Sequence, residues 1–178
     1  MIYLTIKDRL SVNASNSRYL LIILMLLSLP ATHAEPYMQQ NISLSQAQKV
    51  VAAAINECGL INGDITVSIA VVDRAGQPVM QIRSDNSAPH NWELAFRKAY
   101  TARTYRRTSL EWRDRTAGNS ERAGQRQLSQ VIPLGGGAPI KAGNDTIGGV
   151  GVTGAEGGQP ADDACAVAAA ASIASELQ

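Results

Sequence analysis

Apolar positions along the chain change their period several times, and each change marks an element. Leu44, Ala47, Val51, Ala54 and Cys58 share one helical face. Ser43 and Gln46 stand ahead of that face with capping-box spacing, and Gly59 is a natural stop, which predicts a helix over 44–58. Residues 65–72 alternate instead: Ile65, Val67, Ile69 and Val71 on one side, Thr66, Ser68 and Ala70 on the other, the pattern of a strand. Asp73-Arg74-Ala75-Gly76 supplies turn chemistry, and 78–83 returns as a second strand. After a loop, a helix begins near His90 and runs to about Arg107, with Trp92, Ala95, Phe96, Ala99 and Ala102 as its buried stripe. Residues 109–128 predict one or two short helices broken near Gly118-Asn119. Strands are expected at 131–134, 138–141 and 146–153, separated by Gly135-Gly136-Gly137 and Gly143-Asn144-Asp145. Asp162 is placed to cap a final alanine-rich helix ending at Leu177. The order is helix-strand-strand-helices-strand-strand-strand-helix. With such short turns it predicts an α+β fold: one antiparallel five-stranded sheet flanked by helices.

Composition narrows the function classes. A chain of 178 residues with 45% hydrophobic and 17% charged residues is neither disordered nor fibrous, and suits one domain. The formal charge of +1 gives no bulk attraction to nucleic acid or acidic membranes.

Residues 1–34 read as a secretory signal peptide. Lys7, Arg9 and Arg18 precede the apolar run 19–29, Pro30 breaks it, and Thr32-His33-Ala34 offers small residues where a signal peptidase cuts. The run is too short to span a bilayer, which takes about 20 residues, so no transmembrane segment is expected after cleavage. The mature domain would be 35–178. Losing three basic residues and Asp8 takes its formal charge from +1 to −1. Periplasmic or secreted location follows, in an oxidising compartment where Cys58 and Cys165 can pair; the alternative is two buried thiols. Cleavage also leaves His90 as the sole histidine, which excludes a multi-histidine metal cluster within one subunit.

Several motifs have two readings. Gly149 to Gly154 fits G-x-G-x-x-G, yet only one helix follows, so the βαβ context of a dinucleotide site is missing; glycines that let a helix or ligand approach the sheet are the better reading. Gly135-Gly136-Gly137 suits an anion-binding nest or a plain turn equally. The basic stretch from Arg97 to Arg126 is either a solvated face with ion pairs or a carboxylate site, since guanidinium groups grip carboxylates in a fork. Export and the lack of interleaved aromatics speak against nucleic acid. His90 is either a solvent-facing residue at a helix start or an axial iron ligand. No G-x-S-x-G elbow occurs, and no catalytic set rises above background.

The ordered set of short motifs resembles the GlcG/HbpS family. Ser68 to Gly76 (SIAVVDRAG) is similar to its "iaVvD..G" strand and turn, and Arg83 and Asp85 to its "R.D". Lys98 to Ala102 (KAYTA) resembles "KAyTA", and Gly135 to Ile140 resembles "GG.PI". Ile147 to Gly154 resembles "iGaiGvsG", and Asp162-Asp163 stands at the family's "DE". The resemblance implies a profilin-like fold, homo-oligomers (octamers among them), and binding of haem, another tetrapyrrole or a small ligand; an enzymatic, haem-degrading or organic-acid-converting role is the first alternative, and a ligand-free sensor module the second. It also implies Thr101 as iron ligand in one branch and histidine, here His90, in another. These two are 11 positions apart, about 20° off one helical face and about 16 Å along the axis, so one iron takes both only between subunits. On this reading Trp92, Phe96 or Tyr100 stacks on the macrocycle, and Arg97, Arg103 or Arg107 holds its propionates.

Overall fold

The computed structural model describes residues 34–58 and 66–177. Apart from Ala34, the leader lies outside these residues, as do Gly59 and Ile65.

The first helix, α1 (Leu44–Glu57), starts where the sequence places it. Ser43 Oγ accepts from Gln46 N at 3.2 Å, and Gln46 Oε1 accepts from Ser43 N at 2.9 Å. A cap of this kind contributes about 1 kcal/mol. Strands β1 (Ser68–Asp73) and β2 (Pro78–Arg83) form the expected hairpin. Asp73 closes its turn by donating its N–H to Gln77 O, accepting from Gly76 N on its carbonyl and from Gln77 N on its carboxylate, and Gly76 supplies φ +79°. Helix α2 (Asn91–Tyr105) stops two residues early, because Arg106 turns left-handed while donating to Ala102 O. Thr108 then caps the short α3 (Ser109–Arg115), and a 3-10 turn follows at Ala123–Gln127.

The sheet has four strands among the described residues, not five. β3 (Gly137–Ala142) and β4 (Asp145–Thr153) pair around Gly143-Asn144, giving the antiparallel order β2-β1-β4-β3. The strand expected at 131–134 does not form. Pro133 has no N–H for a ladder, and neighbouring backbone groups are engaged by side chains. Arg97 donates to Val131 O, Ile132 N donates to Thr101 Oγ1, and Gly135 N to Gln159 Oε1.

The last helix, α4 (Gln159–Ala171), is capped by Gly158 rather than Asp162, and the chain breaks at Ser172 into a 3-10 turn, Ala174–Glu176. Asp162 lies inside the first turn and points inward to the buried Lys98.

Helices α1 and α4 cover one face of the sheet and α2 the other. The α1/α4 face holds the main core: Val50, Val51, Ile69, Val71, Ile140, Val150, Val152 and Ala166 among others. Cys58 and Cys165 are joined as a disulfide, with Cα atoms 5.4 Å apart, tying the end of α1 to α4. No helix among the described residues is long and apolar enough to cross a membrane.

Candidate functional site

Helix α2 carries most of the residues singled out from the sequence, so its seating decides what they do. It lies on Ala70 and Val72 of β1 and on the glycines of β4. A Cβ at Gly149 would come within 2.5 Å of Ala99 O, and one at Gly151 would overlap Ala95 O. A Cβ at Gly137 would overlap Lys98 O. The G-x-G-x-x-G stretch therefore admits a helix backbone, the bland reading of that motif.

At about 100° per residue, α2 then presents two different flanks. One carries Trp92, Phe96, Tyr100 and Arg103. Phe96 packs on the Ala70–Val72–Ala95–Ala99 cluster, and its ring centroid stands 6.0 Å from that of Tyr100. Tyr100 lies over the hairpin turn, so close that a Cβ at Gly76 would stand 2.7 Å from Cε2. Gln81 of β2 donates to Trp92 O, and the Trp92 residue is 49% exposed. The result is an aromatic shelf open to solvent.

The opposite flank carries Arg97 and Thr101, with His90 about 20° from Thr101 in helical phase. Thr101 is fully buried. Its Oγ1 donates to Arg97 O at 2.7 Å and accepts from Ile132 N at 2.9 Å. Arg97 donates to Val131 O and pairs with Glu93. His90 sits at the start of α2 with its residue exposed and no side-chain capping bond. Arg107, beyond the helix, pairs with Glu111 at 2.6 Å. The structure thus brings Trp92, Phe96, Tyr100 and Arg103 together and sets His90, Arg97, Thr101 and Arg107 apart from them.

Arg103 differs from the other arginines of this region. Its Nε, like that of Arg97, is buried with no hydrogen-bond partner, but unlike Arg97 it forms no ion pair and no other side-chain hydrogen bond among the described residues. Burial, then the charges of Arg74 and Arg106, push its pKa down, against a smaller pull from Asp145 and Asp73.

The arginine-rich segment after α2 is mostly engaged with itself. Trp112 is buried, stacks on Tyr105 at 4.7 Å and donates to Gln125. Arg126 donates to Thr116 Oγ1 and Arg113 O, and Arg113 donates to Asp114 and Gln159.

A buried polar hub joins α2 to α4, and sequence reading missed it. Lys98 is 1% exposed; its Nζ lies 2.7 Å from Asp162 Oδ2 and 3.0 Å from Val152 O. Asp162 Oδ1 accepts from Ala155 N. Burial pulls the Lys98 ammonium below the usual lysine range, opposed by Asp162 and then Asp163. Beside this pair the three glycines donate in turn to Gln159, Asp163 and Ser109. Burial raises the pKa of Asp163, opposed by the N–H groups of Gly136 and Leu110, by Lys98 and by Thr108. The triglycine thus binds the chain's own acceptors. The signal was present: Lys98 falls within the apolar phase of Ala95, Ala99 and Ala102, where a cation needs a buried carboxylate.

Three surface concavities of about 230 to 290 Å³ lie elsewhere, by Gln46 and Glu176, beside the disulfide, and between β3 and α4. None of the three borders the aromatic shelf.

The model of the family described as haem degrading protein HbpS-like matches residues 42–171, from α1 through α4. The chain belongs to the HbpS-like family. A crystal structure of an HbpS double mutant from Streptomyces reticuli superposes with a TM-score of 0.70 at 28% identity, covering 80% of this chain and 94% of that one. The structure of a PduOC–haem complex gives a TM-score of 0.67 at 24% identity, over 75% of this chain and 96% of that one, a likeness of fold. An uncharacterised 15.0 kDa protein of the dhaT–dhaS intergenic region in Citrobacter freundii is 28% identical over 116 residues, 64% of this chain and 80% of its own. The α+β sheet with its flanking helices is that of the HbpS-like structures.

Proposed function

We propose that this HbpS-like protein is exported, assembles as a homo-oligomer, and binds haem or a similar planar ligand against α2. The observation that carries the reading is the open shelf of Trp92, Phe96 and Tyr100 ending in an unpaired guanidinium, Arg103. Aromatic faces suit a macrocycle and a guanidinium suits its carboxylates, so the residues fit the group. The family's description and the relative solved with haem support the same ligand class.

Between the two iron-ligand candidates the surroundings favour His90. An exposed imidazole is free to coordinate, whereas the Thr101 hydroxyl has both a donor and an acceptor bond inside the fold. His90 and the aromatic shelf diverge around the helix, so a planar guest would take the shelf from one copy and His90 from another. Haem titration tests this. His90→Ala is expected to shift the Soret band and weaken binding about tenfold or more, one ligand bond being worth over 1.4 kcal/mol. A spectrum unchanged by His90→Ala would overturn the assignment. The haem-degrading alternative draws on the family description. It requires the Soret band to bleach when a reductant is added, where simple binding leaves it intact. No Soret shift at all would favour the ligand-free sensor module.

A further inference from the structure

We infer that Arg103 is the specificity-determining residue of the α2 shelf, gripping one carboxylate of the bound ligand. Three arginines are near enough in sequence to compete for the role. Arg97 is committed to Val131 O and Glu93 on the opposite flank, and Arg107 to Glu111. Arg103 stands three residues after Tyr100, hence on the same flank. Its guanidinium makes no hydrogen bond or ion pair among the described residues, whereas Arg97, whose Nε is likewise buried without a partner, is held through its other nitrogens. A guanidinium without an acceptor is free to bind one, and a carboxylate meeting its outer fork supplies it.

The neighbourhood sets the charge of the guest. The charges of Arg74 and Arg106 repel that of Arg103, and those of Asp145 and Asp73 attract it. Arg74 is already paired with Asp145 and donates to Gln40 O. Arg106 is held left-handed at φ 57° at the helix end. Three guanidinium groups against two carboxylates leave one positive charge over. That surplus charge suits a carboxylate at the edge of the ligand.

This assignment rests on the tetrapyrrole reading, and two experiments separate them. In the first, full-length mature protein is titrated with haem and with its dimethyl ester, which keeps the macrocycle but lacks free carboxylates. The wild type is expected to prefer haem about tenfold or more, the usual worth of a charge-assisted bond. Arg103→Gln binds both equally, at the wild type's ester affinity, while Arg122→Gln, a substitution on the exposed surface, keeps the preference. In the second, thermal unfolding is followed with sodium propionate against sodium chloride at equal ionic strength. Propionate raises the Tm of the wild type but not of Arg103→Gln, whose own Tm in chloride matches the wild type.

A preference for haem that survives in Arg103→Gln overturns the inference and leaves the tetrapyrrole reading standing. Propionate protection without binding of either porphyrin does the reverse. Propionate protection of both proteins alike also overturns it.

Discussion

The two faces of the sheet are packed by opposite means. On the α1/α4 side, branched side chains fill the gap: Ile69, Val71, Ile140, Val150 and Val152 meet Val50, Val51 and Ala166, and the Cys58–Cys165 bond staples the helices. On the α2 side the side chains are few and mostly small: Ala70, Val72, Ala95 and Ala99, with Phe96 at the edge. Gly149 and Gly151 lie under Ala95 and Ala99, and backbone meets backbone. What fixes α2 laterally is polar: the Lys98–Asp162 pair, and the bonds of Arg97 and Thr101 to residues 131 and 132. The lesson is that the helix bearing the candidate site is positioned by steric contact and buried charge, both sharply dependent on distance, whereas the other face rests on the more forgiving hydrophobic contact.

Breaking the hub should produce the largest effect. Asp162→Ala leaves the Lys98 ammonium buried without its carboxylate and is expected to cost about 3–5 kcal/mol in denaturant unfolding. Lys98→Met combined with Asp162→Leu should recover most of that loss, because it removes the charge as well as its partner. Equal losses in the single and the double variant would show that the pair does not hold the two elements together.

Removing the staple comes next. Cys58→Ala with Cys165→Ala is expected to lower stability by about 2–4 kcal/mol, since the bond closes a loop 107 residues long. Ligand affinity at α2 should stay within a factor of two. A binding loss as large as that of Asp162→Ala would refute the independence of the two faces.

The finest probe is a single methyl group. Gly149→Ala puts a Cβ 2.5 Å from Ala99 O and should cost about 1–3 kcal/mol, with α2 displaced and the near-UV signal of its aromatics altered. Gly124→Ala, where nothing lies within 4 Å, should stay within about 0.5 kcal/mol of the wild type. Similar Tm changes in both would deny the close approach of α2 to β4.

Much of the local structure was legible because it is decided locally. The capping box of Ser43 and Gln46 and the turn at Asp73 to Gly76 each act within a few residues and stand where their patterns say; of the buried stripe expected on α2, Ala95, Ala99 and Ala102 are buried, Phe96 partly so, and Trp92 is exposed instead. Residues 131–134 misled because their backbone partners come from distant elements: Thr101 and Arg97 on α2, then Gln159 on α4 for the glycine that follows. Asp162 misled in the same way. It has the composition of a cap, but a buried lysine 64 positions earlier turns it inward.

The candidate site divides along the same line. The sequence alone settled that α2 is amphipathic, that His90 stands at its start, and that aromatic and basic residues are concentrated on it. Periodicity also fixed which of them share a phase, since helical geometry needs no outside information. Which hydroxyl is buried and which guanidinium is left without a partner depended on where β4 and the 131–134 segment came to rest. Those are contacts between groups far apart in the chain, formed only when the whole domain is folded.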